Sequence, residues 1–410
     1  MSREQQIETV IIGGGQAGLS VSYFLQQAGR EHSVLEKAAQ AGNAWRNDRW
    51  DSFTLVTPNW SFRLPGGEYA GDQPDGFLGR DAIVRVFEEY VTRYRLPVEF
   101  GVQVESVEPL DRGYRVVTSR GDFYARNVVV ASGLYQKPKI PAFAAGLQDG
   151  ILQLPSGQYR NPAALPPGAI LVAGAGQSGC QIAEELFQSG RQVYLATGKA
   201  PRAPRRYRGR DIVEWLALTG FLSRTPAQLT STQARFSSNP QVSGKGGGHT
   251  LNLHQFARDG VHLMGRVEDA RDGKLYLAAD LMENLAFSDA AEGNIIQMVD
   301  RYIAANGVDA PAETLPVMKD GYSCPLESEL DLESAGITTV IWALGYSFDF
   351  SLVRLPVFDE AGFPVSESGV TRFPGLYFAG LPWLPGQKSG ILLGVAEQAG
   401  IVASHIQSSI

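Results

Sequence analysis

Two glycine-rich loops of one form, one near the N-terminus and one near mid-chain, constrain the fold more than any other feature of this sequence. Gly13-Gly14-Gly15-Gln16-Ala17-Gly18 follows the apolar run Val10-Ile11-Ile12. Gly174-Ala175-Gly176-Gln177-Ser178-Gly179 follows Ala169-Ile170-Leu171-Val172-Ala173. Both have the spacing G-x-G-x-x-G, and each stands between a strand-like run and residues with helical spacing. Such glycines let the backbone turn tightly and approach a pyrophosphate, which then rests on the helix N-terminus. One loop of this kind is a weak signal in a chain of 410 residues. Two, each behind a strand, predict two dinucleotides held by one protein, as hydride transfer from NAD(P)H to FAD requires.

The residues past each loop separate the two sites. About 20 residues beyond the first loop, a carboxylate that closes the second strand accepts hydrogen bonds from a ribose 2′-hydroxyl. Glu36 stands there, ending Ser33-Val34-Leu35-Glu36. The same count from Gly176 lands on Thr197, and Lys199, Arg202, Arg205 and Arg206 follow. A carboxylate repels a 2′-phosphate, whereas a hydroxyl followed by cations attracts it. The first site therefore suits FAD and the second NADPH. The competing reading is that these arginines are solvated loop charge.

The net charge of −7 argues against a nucleic-acid partner, since no cationic excess exists to neutralise phosphates. The two cysteines, Cys180 and Cys324, exclude a disulfide framework and a Cys-rich metal site, and they are not spaced as C-x-x-C. The histidines at 32, 249, 254, 262 and 405 show no metal spacing, so no metal is expected. Met1–Glu8 is polar, and no apolar run is long enough to span a bilayer, which leads us to expect no signal peptide, no membrane partner and a cytoplasmic location.

The chain is long enough for at least two domains. We expect an α/β protein with two Rossmann-like dinucleotide-binding domains, the FAD domain discontinuous and the NADPH domain inserted. The boundaries are placed at 1–163, 164–330 and 331–410, with a proline-bearing linker near 160–170. Helices are expected over Leu19–Gln27, Arg80–Tyr94 and 280–307. Strands are expected over Val102–Pro109, Tyr114–Thr118, Asp122–Tyr124 and Val128–Ala131. Gly244-Lys245-Gly246-Gly247-Gly248 reads as a mobile loop near a ligand or, equally, as a surface loop. Ser389 is expected to open a last helix to about Ser408, its N-terminus facing an anionic flavin edge. Trp50, Phe53, Trp60, Phe62, Trp215 and Trp383 are candidates for an apolar substrate pocket, with ordinary core as the alternative.

These features, in this order, resemble the two-dinucleotide-binding flavoprotein fold and, within it, the class B flavin-dependent monooxygenases, which include the flavin-containing monooxygenases. The resemblance covers nearly the whole chain. Besides the glycine loops it rests on Ala131-Ser132-Gly133 with Pro138 and Pro141, on Ala343-Leu344-Gly345-Tyr346, and on Thr371 through Gly380 and Leu381. Gly42-Asn43-Ala44-Trp45-Arg46 is similar to a segment that lies along the flavin in that family. Leu381 stands where disulfide-reductase branches carry an Asp. One departure is clear: the family's His ahead of the second loop is replaced by Pro155, although Ser156 and Tyr159 are kept. Phe143 and Gly146, the upstream members of that fingerprint, lie further back.

The resemblance implies FAD and NADPH as cofactors, a small-molecule substrate and molecular oxygen as partners, and a homodimer as an option. It implies transfer of one oxygen atom to nitrogen, sulfur or ring carbon of a small apolar substrate through a C4a-oxygenated flavin. It places Asn59 beside the reacting flavin edge, where a structural Asn in a loop after Pro58 is the alternative. Two rivals remain open: a flavin-dependent NADPH dehydrogenase of the same fold, and a non-catalytic sensor that keeps both nucleotides.

Overall fold

The computed structural model describes residues 3–237 and 239–409. Each glycine loop ends the central strand of its own sheet. The first sheet runs in the order Val98–Phe100, His32–Glu36, Arg3–Ile12, Gly121–Val130, Tyr114–Thr118, Val104–Pro109. The strands expected at 122–124 and 128–131 are therefore one element, Gly121–Val130. Its first half pairs antiparallel with Tyr114–Thr118, and its last three residues pair in parallel with Leu376–Phe378 from the C-terminal region. The second sheet is wholly parallel, in the order Leu152–Pro155, Ile337–Trp342, Ala169–Ala173, Val193–Ala196, His262–Met264.

This topology corrects the expected domain boundaries. Leu152–Pro155 precedes residue 164 and Ile337–Trp342 follows residue 330, yet both belong to the second sheet. Their period and apolar content match either sheet equally, so sequence pattern does not assign them. Pro155 ends an edge strand, where a residue without an N–H is tolerated.

The central strands are apolar on both faces because both faces are covered. Val129 joins the core beneath helices Gln16–Gln27, Arg80–Tyr94 and Val395–Ser408, which contribute Leu19, Leu25, Phe87, Val402 and Ile406. Val128 and Val130 face the opposite core with Val107, Val116 and Phe350. The second sheet repeats this alternation, Ile170 and Val172 on one side, Leu171 and Ala173 on the other. Each fully buried Leu or Val of this kind contributes roughly 1.5–3 kcal/mol.

The aromatic stretch after residue 45 stitches the halves together. Trp50 lies in the core of the second sheet beside Tyr159, whose hydroxyl donates to Glu185 at 2.9 Å. Phe62 is core to the first half, and Trp215 is buried among Tyr207, Val299 and Ile303. Those three candidates for a substrate pocket are therefore core residues.

Candidate functional site: two glycine loops and the segments that close over them

The two loops match atom by atom. Gly13 N–H donates to Leu35 O and Gly174 N–H to Ala196 O, both at 2.9 Å. Their φ values are +106° and +108°, which favour glycine. Ala131 N–H donates to Ile12 O and Ala343 N–H to Ala173 O, both at 2.8 Å, so the paired segments Ala131-Ser132-Gly133 and Ala343-Leu344-Gly345 cross the same end of each sheet. A side chain on Gly18 would place its Cβ 1.9 Å from Gly13 O, and one on Gly179 would place it 1.7 Å from Gly174 O. These two glycines bring helix against strand.

Gly15 and Gly176 differ in kind. A Cβ at either meets nothing within 4 Å. Both are helix N-caps without a side-chain cap, and the first intrahelical bonds are Leu19 N–H to Gly15 O and Cys180 N–H to Gly176 O. The N–H groups of Gln16, Ala17 and Gly18, and of Gln177, Ser178 and Gly179, thus lack intrahelical partners, and the space beside Gly15 and Gly176 is open at the positive end of each helix. That cradle fits a pyrophosphate at each loop.

Orphaned polar atoms beside the loops agree with this fit. Glu36 accepts from Gly14 N–H at 2.7 Å and from Ala38 N–H at 2.8 Å, leaving carboxylate lone pairs for a ribose hydroxyl. Arg46 pairs with Glu88 at 2.5 Å, but its buried Nε has no partner among the described residues. Beside the second loop, the buried Gln241 donates to Ala175 O while its Oε1 has no partner among the described residues.

The glutamines after the third loop residue repeat a device. Gln16 Nε2 donates to Gly390 O at 3.0 Å and so ties the C-terminal turn to the first loop. Gln177 donates to Val242 O and accepts from Val242 N–H, tying the segment 241–243 to the second. Gly244–Gly248 is accordingly a short hairpin turn between Val242–Ser243 and His249–Thr250, pressed against Phe77 and Leu55. His249 Nε2 lies 2.7 Å from Glu184 Oε1, and this hydrogen bond raises the imidazole pKa.

Several expected site residues are otherwise committed. Ser389 shares its hydroxyl between Leu381 O at 2.7 Å and Gly386 O at 2.6 Å, and accepts from Leu384 N–H. It clamps the turn, and the last helix begins at Val395 instead. The helical spacing downstream is real, but Gly390 and Gly394 leave room for a bend in which Gln387–Gly390 form a separate turn. Thr197 is buried, donates to Met264 O at 2.8 Å and accepts from Asn284. Arg202 is 4% exposed and bonded to Asp289 at 2.8 Å and Glu292 at 2.6 Å, which answers its charge within the fold. Lys199 is exposed, 3.9 Å from Glu283. His254, wholly buried, accepts from Gly321 N–H on Nδ1 and faces Asp289 through Nε2, a structural role.

Asn59 is 4% exposed. Its carbonyl accepts from Leu78 N–H at 2.7 Å and its amide donates to Gln73 O at 2.9 Å, so it holds the loop 73–78 in place. One amide N–H has no partner among the described residues. Trp45 is half-buried against Phe53 and Phe87, with Arg49 over its ring at 5.3 Å. Gly133 and Gly345, at φ +74° and +79°, would meet nothing if given a Cβ. Gly380 is different: a Cβ there would lie 2.3 Å from that of Ala17. Leu381 is buried in the core of the first sheet.

Comparison with known proteins bears on all of this. The pyridine nucleotide-disulphide oxidoreductase family matches residues 10–217. An uncharacterized oxidoreductase CzcO-like protein of Geobacillus kaustophilus is 31% identical over 402 residues, covering 98% of each chain. A flavin monooxygenase variant from Stenotrophomonas maltophilia superposes with a TM-score of 0.66 at 20% identity, covering 98% of this chain and 99% of its own. A bacillithiol disulfide reductase from Bacillus cereus superposes with a TM-score of 0.63 at 15% identity, with the same coverage. The last two show the fold and do not separate oxygenation from disulfide reduction. A family match over half of the chain and a relative along nearly all of it agree with the paired cradles: the protein belongs to the pyridine nucleotide-disulphide oxidoreductases, a family whose members use FAD and NADPH, and within it resembles the class B flavin monooxygenases.

Proposed function

We propose that the chain is an FAD-dependent, NADPH-consuming monooxygenase that inserts one atom of molecular oxygen into a small substrate with an apolar body. The observation that carries this reading is the state of the two thiols. Disulfide reduction in this fold needs a reactive cysteine pair, and both cysteines are free. Cys180 is wholly buried, with Sγ 3.3 Å from Ala175 O, and burial pushes its pKa up. Burial raises that of Cys324 as well. Neither side chain offers a ready thiolate.

Bound FAD, reduced by NADPH, supplies the redox and oxygen chemistry. The chain's own residues bind, orient and keep water out. Residues 13–18 receive the FAD pyrophosphate, Glu36 the ribose, and residues 174–179 the NADPH pyrophosphate. The unengaged N–H of Asn59 and Nε of Arg46 would be free to donate to a bound flavin. Trp45 and Phe53, with ring centroids 5.9 Å apart, wall the site with apolar surface.

With ¹⁸O-labelled dioxygen and a thioether, amine or ketone panel, the product is expected to carry one labelled atom per NADPH consumed. NADPH oxidation that yields only hydrogen peroxide with every substrate replaces this reading with the dehydrogenase one. Asn59→Ala is expected to raise the share of NADPH lost to peroxide on the order of tenfold, the effect of one hydrogen bond of about 1.4 kcal/mol. Asn59→Asp keeps the acceptor for Leu78 and separates loop support from donation.

Coenzyme choice rests on Lys199. Lys199→Ala is expected to narrow the NADPH advantage over NADH in kcat/KM about tenfold, the scale of one charge-assisted contact. Arg202→Ala is expected to act on stability, since it strands Asp289 and Glu292. An unchanged coenzyme ratio in the Lys199 variant moves the 2′-phosphate site elsewhere.

A further inference from the structure

We infer that the groove between residues 219–228 and the distal half of helix Leu281–Asn306 binds a small organic anion with an apolar body, its acid group held by Arg224 and Arg301. The groove has a volume of about 450 Å³, within the usual range for small-molecule sites. Phe221, Ile295 and Met298 supply apolar wall, and among the described residues Arg224 and Arg301 supply both of its charges and no carboxylate lines it. A purely cationic groove in a chain of net charge −7 concentrates anions.

Arg224 has donor capacity to spare. Arg49, Arg160 and Arg191 bond only to main-chain carbonyls, whereas other enclosed arginines have carboxylates: Asp289 and Glu292 for Arg202, Asp211 for Arg205, Asp359 for Arg235. Arg224 has none among the described residues. Its Nε–H is shared between Phe221 O at 3.1 Å and Gln387 Oε1 at 3.3 Å, and Nη2 donates to Gln387 Oε1 at 2.9 Å. The guanidinium lies 3.8 Å from the Phe221 ring centroid, and burial lowers its pKa with no anion to oppose it. A half-buried charge left this way is costly until a ligand answers it. Nη1 makes no hydrogen bond among the described residues and is available. Arg301 is exposed and likewise makes no ion pair among them.

The groove is joined to the first glycine loop. Gln387 N–H donates to Arg224 O at 2.9 Å, and the same turn is held to the loop through Gly390 and Gln16. Trp383 in that turn is buried with φ +63°, a strained conformation for a bulky residue, and Arg224 lies 5.6 Å from its ring. The groove is not the 2′-phosphate site of NADPH. Asn284 of the long helix touches Thr197, and Asn294–Arg301 begins ten residues further on, about 15 Å at 1.5 Å per residue.

The place of this anion as substrate rests on the monooxygenase reading; its binding does not. The test is calorimetric titration of FAD-loaded protein saturated with NADP⁺, using phenylacetate, octanoate and their amides. At least one acid is expected to bind tenfold or more tighter than its amide. Arg301→Gln, at an exposed helix position, and Arg224→Gln are each expected to remove most of that preference, and Arg224→Lys to retain part of it. No binding by either acid, equal affinity of acid and amide, or a preference that survives both Gln variants overturns the inference. A preserved acid preference with no ¹⁸O in any product leaves the groove standing and removes the oxygenase reading alone.

Discussion

The Gly15→Val protein is expected to fold and to carry no flavin. Gly15 has φ −83° and ψ −173°, extended backbone that any residue adopts, and a Cβ there meets nothing within 4 Å. The protein alone thus tolerates the side chain. The open space lies at the helix end where the N–H groups of Gln16, Ala17 and Gly18 lack intrahelical partners, and there the pyrophosphate belongs. Displacing two charge-assisted contacts of about 1.5 kcal/mol each weakens FAD at least about a hundredfold. Gly18→Ala provides the contrast, because its Cβ would collide with Gly13 O at 1.9 Å and damage the apoprotein itself. Flavin absorbance per protein and thermal unfolding of both apoproteins separate the two outcomes. Gly176→Val transfers the argument to the second loop: FAD is expected to stay bound and be reduced by dithionite, but not by NADPH. A Gly15→Val protein with wild-type flavin content would end the assignment of the first cradle.

The two cradles were legible because their signals are local. A β-branched run, three glycines at fixed spacing and a carboxylate about 20 residues on lie within one supersecondary unit. Helices Arg80–Tyr94 and Leu281–Asn306 were legible through their period. The elements that sequence misassigned are those whose placement depends on distant partners. Ile337–Trp342 reads as a buried strand, but nothing within it says which sheet it joins. Thr197 stands at the right count from Gly176 and Arg202 follows it, yet Met264 O, Asp289 and Glu292 engage them first. Ser389 stands before a helical pattern, yet its hydroxyl holds the Leu381 and Gly386 carbonyls. Gly244–Gly248 has the composition of a free loop, and only the approach of Leu55 and Phe77 makes it a packed turn. The arms of Gln16 and Gln177 hold the same loop position, but their targets, at 390 and 242, carry no sequence mark.

Arg205, which sequence reading set among the cations for a 2′-phosphate with solvated loop charge as the alternative, is expected on its loss to have the largest effect on stability. Its side chain is 2% exposed, paired with Asp211, and it donates to Val56 O at 2.7 Å across the two halves of the molecule. Its guanidinium lies 4.9 Å from the Phe77 ring centroid, and its backbone N–H donates to Thr250. One residue thus joins the 55–62 segment, the 242–250 hairpin and the helix capped by Asp211. Removing one partner of a buried ion pair leaves the other charge enclosed and costs about 3–5 kcal/mol. Arg205→Ala is therefore expected to lower the unfolding temperature by several degrees, in apoprotein and holoprotein alike. Arg205→Met with Asp211→Leu is expected to recover part of that loss, since no charge is then stranded, though Val56 O still lacks its donor. Because Val56 leads directly to Asn59, the single variant is also expected to release more peroxide per NADPH than wild type. An Arg205→Ala protein within 1 kcal/mol of wild-type stability, by chemical denaturation, would show that the two halves are held together elsewhere.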